Sequence, residues 1–100
     1  MKSGNAIIHQ ATRLKIMASL CKLAPGAAIE FVQLKNILAT TDGNLGSHLE
    51  ALEKAGYVAI EKKFESRKPK TRVKSTAVGR RAFSEHVAYL REIIDSGDST

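Results

Sequence analysis

Apolar residues recur along this chain at spacings that change from helical to extended and back. Over residues 5–23 they fall at helical intervals on more than one side, which predicts a helix with a broad buried surface. Such a helix lies either between its own domain and a neighbour or across the middle of a compact fold. Pro25 and Gly26 then mark its end.

A short extended piece and two more helices follow. Residues 28–30 are enough only for an added edge strand, whereas the apolar spacing of residues 31–38 predicts a helix of about two turns. A short turn leads to a third helix over residues 41–56, with Thr41 as its N-cap and Asp42 favourable near the positive helix end. Two short helices joined in this way form a helix-turn-helix.

The third helix has two contrasting sides, and Gly56 is placed to end it. One side is apolar, with Leu45, Leu49 and Leu52, and the opposite side is small and polar, with Gly43, Asn44, Ser47 and Ala51. A helix that anchors itself by leucines and keeps its other side short is suited to lie against a flat, polar surface. Nucleic acid is the leading candidate for that surface.

Two extended segments come directly after this helix. Residues 57–64 and 71–75 alternate between apolar and polar side chains, as half-buried strands do. Residues 65–70, which include Pro69, are expected to form the loop between them. A hairpin in this position after a helix-turn-helix is a wing.

A long helix is predicted to close the chain, from a cap at Thr76 to about Ile94. Its apolar residues are spaced as in a coiled-coil seam. Together with two residues of the first helix they form a predicted dimer interface: Ile7, Ile8, Phe83, Val87, Leu90 and Ile94. Packing of the same stripe within the chain is the alternative, although symmetric binding of two DNA half-sites favours the homodimer.

The basic side chains are concentrated in one segment of the chain. The 100 residues carry 16 Lys and Arg against 10 Asp and Glu, a net charge of +6. Residues 62–74 hold seven of the basic side chains and only Glu65 as an acid, so the rest of the chain is balanced. A basic excess confined to the hairpin is typical of a segment that neutralises phosphates, whereas a diffuse excess relates more to solubility.

Composition excludes several other classes. At this length we expect one domain, residues 1–100, with a modest core of aliphatic side chains, since the aromatic content is only 5%. The single Cys21 forms no internal disulfide, and no secretory leader or apolar run long enough to span a membrane is visible, so a cytoplasmic protein is expected. No constellation of nucleophile, base and orienting residue indicates an enzyme, and no cofactor is expected.

Several short motifs resemble those of a known family. The run from Thr12 to Met17 is similar to an "RLxIL" element, and residues 41–58 are similar to "TDGNLxxHLxxLExAGYV". Further matches continue through the hairpin and the last helix, at Phe64, Arg67, Pro69, Thr71, Thr76, Gly79, Arg80, Ala82 and Phe83. Over residues 7–94 the chain resembles winged helix-turn-helix transcriptional regulators of the MarR and ArsR type, in a small subgroup.

The resemblance implies an α+β, mostly α fold: a three-helix core, a small hairpin wing and a long C-terminal helix, 76–94, that dimerises. It also implies a regulator that binds double-stranded DNA, with helix 41–55 in the major groove and the wing on the backbone or minor groove. Carried over by position, the DNA-binding residues are Thr41, Asp42, Gly43, Asn44, Ser47, His48, Arg67, Lys68, Lys70 and Arg72. Gly46 departs from the family, because many relatives have a larger polar residue there.

Individual residues keep alternative interpretations. The Asn44 amide either pairs with adenine or bonds its own helix start, and His48 either touches phosphate or packs as a hydrogen-bonded residue. The lone Cys21 is expected to be a core residue and not part of a metal or redox sensor with His9, His48 or His86. The competing function is a winged helix that binds a protein partner. The sequence does not specify an operator, an effector or the sense of regulation.

Overall fold

Four helices and a small antiparallel sheet make up the computed structural model, which describes residues 4–98. The elements follow in the order α1 (Ala11–Cys21), β1 (Ala28–Glu30), α2 (Phe31–Leu38), α3 (Asp42–Lys54), β2 (Val58–Glu65), β3 (Lys68–Ser75) and α4 (Ala77–Asp98). The strands lie in the order β1-β3-β2, so the short β1 adds an edge to the hairpin as its length predicted. The mixed, mostly helical fold expected from the sequence is confirmed.

The first helix is shorter than its apolar spacing predicted. The Asn5 side chain accepts hydrogen bonds from the backbone N–H groups of Ile7 and Ile8, both at 3.0 Å, which closes a turn before the helix. Gln10 then adopts an extended backbone and caps α1 by accepting from the N–H of Arg13 at 2.9 Å. The prediction of one helix over residues 5–23 was therefore wrong at its start, because an asparagine turn competes with helical bonds.

The core is aliphatic and is shared by all the elements that precede α4. Its fully buried members come from the N-terminal turn, the first three helices and the two long strands: Ile8, Ile16, Met17, Leu20, Leu34, Leu45, Leu49, Leu52, Val58 and Val73. The three leucines of α3 are thus its anchor, as their spacing predicted. From α4, Ala82 and Phe83 pack against this core while half-buried.

Capping residues fix both ends of α3. Thr41 lies in an extended conformation and its hydroxyl accepts from the N–H of Asn44 at 3.1 Å, which confirms the predicted N-cap. At the other end Gly56 has a φ of +81°, its N–H donates to the carbonyl of Glu53, and the N–H of Tyr57 donates to the carbonyl of Leu52. This pair of bonds is a Schellman motif, in which glycine is favoured because of its positive φ.

Four of the six residues in the predicted loop 65–70 belong to strands. The ladder of β2 and β3 continues to the pair Glu65 and Lys68, and only Ser66 and Arg67 form the turn, with φ values of +50° and +64°. Pro69 is tolerated in β3 because β1 ends opposite Arg72 and so leaves that side of the strand open. Next to a two-residue turn, the pair of Phe64 and Pro69 is the one that exchanges no ladder hydrogen bonds.

Candidate nucleic-acid interface

The exposed side of α3 begins at its N-terminal turn. Thr41, Asp42, Asn44 and Ser47 are exposed, and the helical period places Asn44 and Ser47 away from the buried leucines. The Asn44 amide nitrogen donates to the Thr40 hydroxyl at 2.7 Å, so the side chain is held across the helix start. That bond also fixes the orientation of the carbonyl oxygen and the second N–H of the amide. Asn44 therefore bonds its own helix start and still presents a polar edge, so its two interpretations are compatible.

The carboxylate of Asp42 is balanced by a lysine of the preceding helix. Lys35 Nζ lies 2.9 Å from Asp42 Oδ1, across the turn that joins α2 and α3. Because the aspartate side chain is 74% exposed, this pair contributes little to stability. Its local effect is to neutralise an acid on a surface that would otherwise repel phosphate.

Two glycines in α3 serve no packing purpose inside the chain. A methyl group built at Gly43 or Gly46 meets no atom within 4 Å. Neither residue has a positive φ, so alanine fits the backbone at both positions. Gly46 lies inside the helix, where glycine costs about 1 kcal/mol relative to alanine, so the chain carries a penalty there that its own fold does not require. The smooth surface they create permits close approach of another molecule.

His48 connects α3 to α1. The Arg13 Nε donates to His48 Nδ1 at 3.1 Å, which leaves the other ring nitrogen to carry the proton. Arg13 was not among the predicted site residues, although it brings a cation beside α3. In the sequence, Arg13 could have been noticed as a single arginine within an apolar helix. Both interpretations of His48 keep support, because the ring is hydrogen-bonded and half-buried at the rim of the surface.

The hairpin carries less unpaired charge than its sequence indicates. Four of its cations lie near carboxylates: Arg72 at 2.6 Å from Glu65, Lys70 at 3.6 Å from Glu30, and Lys74 and Lys63 at 3.2 and 3.7 Å from Glu61. The hydrogen bond and charge of Lys74 lower the pKa of Glu61. Lys70 and Arg72, both predicted to contact DNA, would therefore reach phosphate by leaving these partners.

Three cations of the hairpin make no ion pair within residues 4–98: Lys62, Arg67 and Lys68. Arg67 is in the turn and Lys68 is the first residue of β3, so both are at the tip. Two of these three cations are therefore at the far end of the wing, and Lys62 lies nearer to α3. Glu30 and Glu61 lie outside or at the border of the basic run, so charge counting within residues 62–74 did not include them.

The predicted dimer residues divide into two groups. Ile8 is fully buried in the core of its own chain, so its assignment to an interface is corrected. Ile7 and Phe83 are half-buried against that core, and Val87 and Leu90 are half-buried along α4. Ile94 is 63% exposed and its neighbour Ile93 is 43% exposed, which leaves an apolar end of α4 uncovered within one chain.

Cys21 and His86 take part in separate contacts within the fold. Cys21 is half-buried at the end of α1, and burial raises the pKa of its thiol, an effect that the charge of Arg80 partly offsets. His86 is buried and accepts from the backbone N–H of Asn5 at 3.0 Å. Within residues 4–98 no three His, Cys, Asp or Glu side chains are grouped to hold a metal ion.

Comparison with known proteins identifies the family. Residues 12–94 match the winged helix DNA-binding domain family. The chain belongs to this family. Its members are DNA-binding regulators and not enzymes. An uncharacterized protein from Methanocaldococcus jannaschii is 40% identical over 87 residues, which are 87% of this chain and 91% of the relative. None of the helices among the described residues has the length and hydropathy needed to cross a membrane.

Solved structures of other proteins share this architecture. A transcriptional regulator homologue from Pyrococcus horikoshii OT3 superposes with a TM-score of 0.83 at 33% identity, over 92% of this chain and 88% of that one. NadR, solved in complex with 4-hydroxyphenylacetate, gives a TM-score of 0.67 at 25% identity, over 93% of this chain and 66% of that chain. The winged helix assignment therefore rests on sequence and on structure.

Proposed function

We propose that this winged helix protein is a sequence-specific, homodimeric transcriptional regulator of double-stranded DNA, of the MarR or ArsR type. The N-terminal half of α3 enters the major groove, with Asn44 and Ser47 toward the bases and Arg67 and Lys68 toward phosphates. The proposal rests on two glycines with no packing role on α3 and on unpaired cations at the tip of the hairpin that follows it. A close approach and a positive rim are what a duplex requires.

The homodimer is proposed from α4. Its last turns leave Ile93 and Ile94 exposed, and the molecule extends to 59 Å along its longest axis, with a radius of gyration of 14.9 Å. A compact 100-residue domain has a radius near 13 Å, so this molecule is elongated. The exposed Ile93 and Ile94 leave apolar surface of α4 without a cover among the described residues of the single chain. A second copy packed along Val87, Leu90 and Ile94 covers it symmetrically.

In vitro selection from randomised duplexes tests the proposal. We expect the wild-type protein to enrich a motif with two related half-sites, because each subunit of a symmetric dimer reads one. Asn44→Ala removes the amide that can pair with adenine, so it should relax the preference at one position of each half-site. Enrichment of no motif by the wild type, together with no retention on duplex DNA, would favour the protein-interaction module instead.

A small-molecule effector is not proposed for this chain. The complex of NadR with 4-hydroxyphenylacetate concerns a longer protein. A cleft lies between α3 and the hairpin, and its lining includes Gly46, Glu53 and Lys62. Because this cleft opens beside the proposed DNA surface, we assign it to the duplex-binding side of the molecule.

A further inference from the structure

One aromatic side chain at the wing tip has no role in the fold. Phe64 is 81% exposed, more than the other large hydrophobic side chains that project from the described residues, which range from 43% to 63%. It lies in β2, directly opposite Pro69 of β3. These two apolar residues therefore form a small patch at the end of an otherwise charged hairpin.

The alternation of the strands determines the face on which this patch lies. Ile60 pairs with Val73 and packs on the core, and successive same-face pairs are Lys62 with Thr71 and then Phe64 with Pro69. Lys62 and Thr71 line a cleft of about 730 Å³ whose other wall is α3. The apolar patch continues the same face beyond the cleft. It consequently lies on the α3 side of the wing.

The opposite face of the hairpin holds its ion pairs. Glu61, Glu65 and Arg72 belong to that face, together with Lys63, Lys70 and Lys74. The hairpin thus separates a polar, internally neutralised face from an α3-facing side that ends in an aromatic ring. Lys68 pairs with Glu65 and therefore lies at the tip end of this polar face, and Arg67 is beside it in the turn. Neither cation makes an ion pair within the described part of the chain.

Charge complementarity decides which occupant fits this patch. An apolar partner surface that covered the patch and the turn would leave Arg67 desolvated without a counter-charge, which is costly. A duplex satisfies both features, because phosphates flank the minor groove and its walls are formed by apolar deoxyribose edges. Aromatic side chains are known to enter this groove in proteins that bind it.

We propose that Phe64 enters the minor groove next to the major groove held by α3, where its ring packs on deoxyribose while Arg67 and Lys68 contact the flanking phosphates. Pro69 supports the ring from the neighbouring strand and stiffens the tip. This inference rests on the proposed DNA-binding function. It adds a contact that the basic residues alone do not predict.

Fluorescence provides a direct test, because the sequence contains no tryptophan. Phe64→Trp places a single indole at the tip, and Val78→Trp places one at an exposed position on the first turn of α4 as the matched control. Each variant is titrated with a mixed-sequence duplex of about 30 base pairs, long enough for two half-sites one turn apart. Acrylamide quenching is measured with and without the duplex, and with heparin, a polyanion that has no groove.

We expect the duplex to shift the Phe64→Trp emission to shorter wavelength and to reduce its quenching severalfold, whereas heparin and the control variant show little change. In parallel, Phe64→Ala should weaken duplex binding about tenfold, because buried apolar area is lost. The slope of log affinity against log salt should stay the same, since no phosphate contact is removed.

An indole that remains fully quenchable on a saturating duplex would overturn the minor-groove contact, as would unchanged affinity for Phe64→Ala. In either case the wild-type protein would still bind the duplex, so the proposed DNA-binding function would stand. Absence of duplex binding by the wild type would instead contradict the proposed function itself. The two failures are therefore distinguishable.

Discussion

Among single residues, Arg67 can be substituted so that stability and duplex affinity change in opposite directions. Its φ of +64° lies in the left-handed region, where glycine is favoured over other residues. Arg67→Gly should therefore leave the free energy of unfolding unchanged or raise it by up to about 1 kcal/mol. It also removes an unpaired cation, so duplex affinity should fall and the salt slope should decrease by about one.

Arg67→Lys is the matched control, because it keeps the positive charge and the backbone strain. Chemical denaturation gives the stability, and fluorescence anisotropy at several salt concentrations gives the affinity and slope. If Arg67→Gly bound the duplex with an unchanged slope, the wing tip would have no phosphate contact and would be removed from the mechanism.

His86 predicts how stability depends on pH. The buried ring accepts the Asn5 N–H at Nδ1, and its Nε2 lies 3.4 Å from His9 Nδ1, so the neutral form fits this position. Burial, and secondarily the charge of His9, lower the pKa of His86 in the folded state. The unfolded chain thus takes up the proton first. Stability should be constant above pH of about 7 and fall as the pH drops below about 6.5.

Urea denaturation between pH 7.5 and 5 measures this loss. The lowered pKa keeps Glu61 ionised throughout that range, so its own contribution changes only at lower pH. His86→Asn keeps an acceptor for the Asn5 N–H without a titrating group, and it should reduce the pH dependence although it lowers stability overall. An equally steep dependence in this variant would assign the effect to other groups.

At the scale of elements, the start of α4 depends on a close contact between two backbones. Thr76 caps the helix by accepting from the N–H of Gly79 at 2.9 Å and donates to the carbonyl of Gly56 at 2.6 Å. A Cβ at Gly79 would lie only 2.0 Å from the carbonyl oxygen of Tyr57. This glycine is therefore required by packing, unlike Gly43 and Gly46.

Gly79→Ala should consequently destabilise the fold by about 2–3 kcal/mol or more, because the Tyr57 backbone has to move. Thermal or urea denaturation gives the change, and Ala77→Gly in the same turn serves as a control for helix propensity. A Gly79→Ala variant as stable as the wild type would show that α4 does not pack on Tyr57 in this way.

The bounds of some helices and strands could be predicted from the sequence, and those of others could not. The apolar period located α2 and α3 because leucines at helical spacing and a capping threonine act locally. It misplaced the start of α1, since Ile7 and Ile8 keep the helical period inside an asparagine turn. The hairpin was predicted too short, because Pro69 was read as part of a loop. Proline fits a strand only where the neighbouring strand has ended, and this depends on the tertiary structure.

The candidate DNA-binding surface was also predicted only in part. The exposure of Thr41, Asn44 and Ser47 follows from one helical period and agrees with the structure. The pairing of Lys70 with Glu30 was not predictable, because it joins residues of different strands across the sheet. A count of charges along the chain therefore overestimated the unpaired charge of the wing and did not show its concentration at the tip.

At the scale of the whole molecule, the proposed dimer makes a concentration-dependent prediction. Leu90→Glu together with Ile94→Glu places charges on the stripe of α4 that a second copy would cover, so the protein should become monomeric. Duplex affinity should then fall by at least about 10²-fold, because two linked half-site contacts become one. Arg91→Glu, on an exposed position of the same helix, is the control.

Sedimentation or light scattering over a range of concentrations measures the mass of each variant. A wild-type protein that stays monomeric up to millimolar concentration, also on DNA, would contradict the dimer. A dimer whose two α3 helices lay far from about 34 Å apart would contradict the arrangement on two half-sites one duplex turn apart.

The central claim, that the smooth side of α3 lies against DNA, is tested most directly by Gly46→Ala, measured for stability and for duplex affinity in the same preparation. We expect a free energy of unfolding higher by about 0.5–1 kcal/mol, since alanine favours the helix and meets no atom within 4 Å in the chain. We also expect duplex affinity at least about tenfold lower, because a methyl group holds the backbone away from the groove. A more stable variant that binds DNA as tightly as the wild type would contradict the claim.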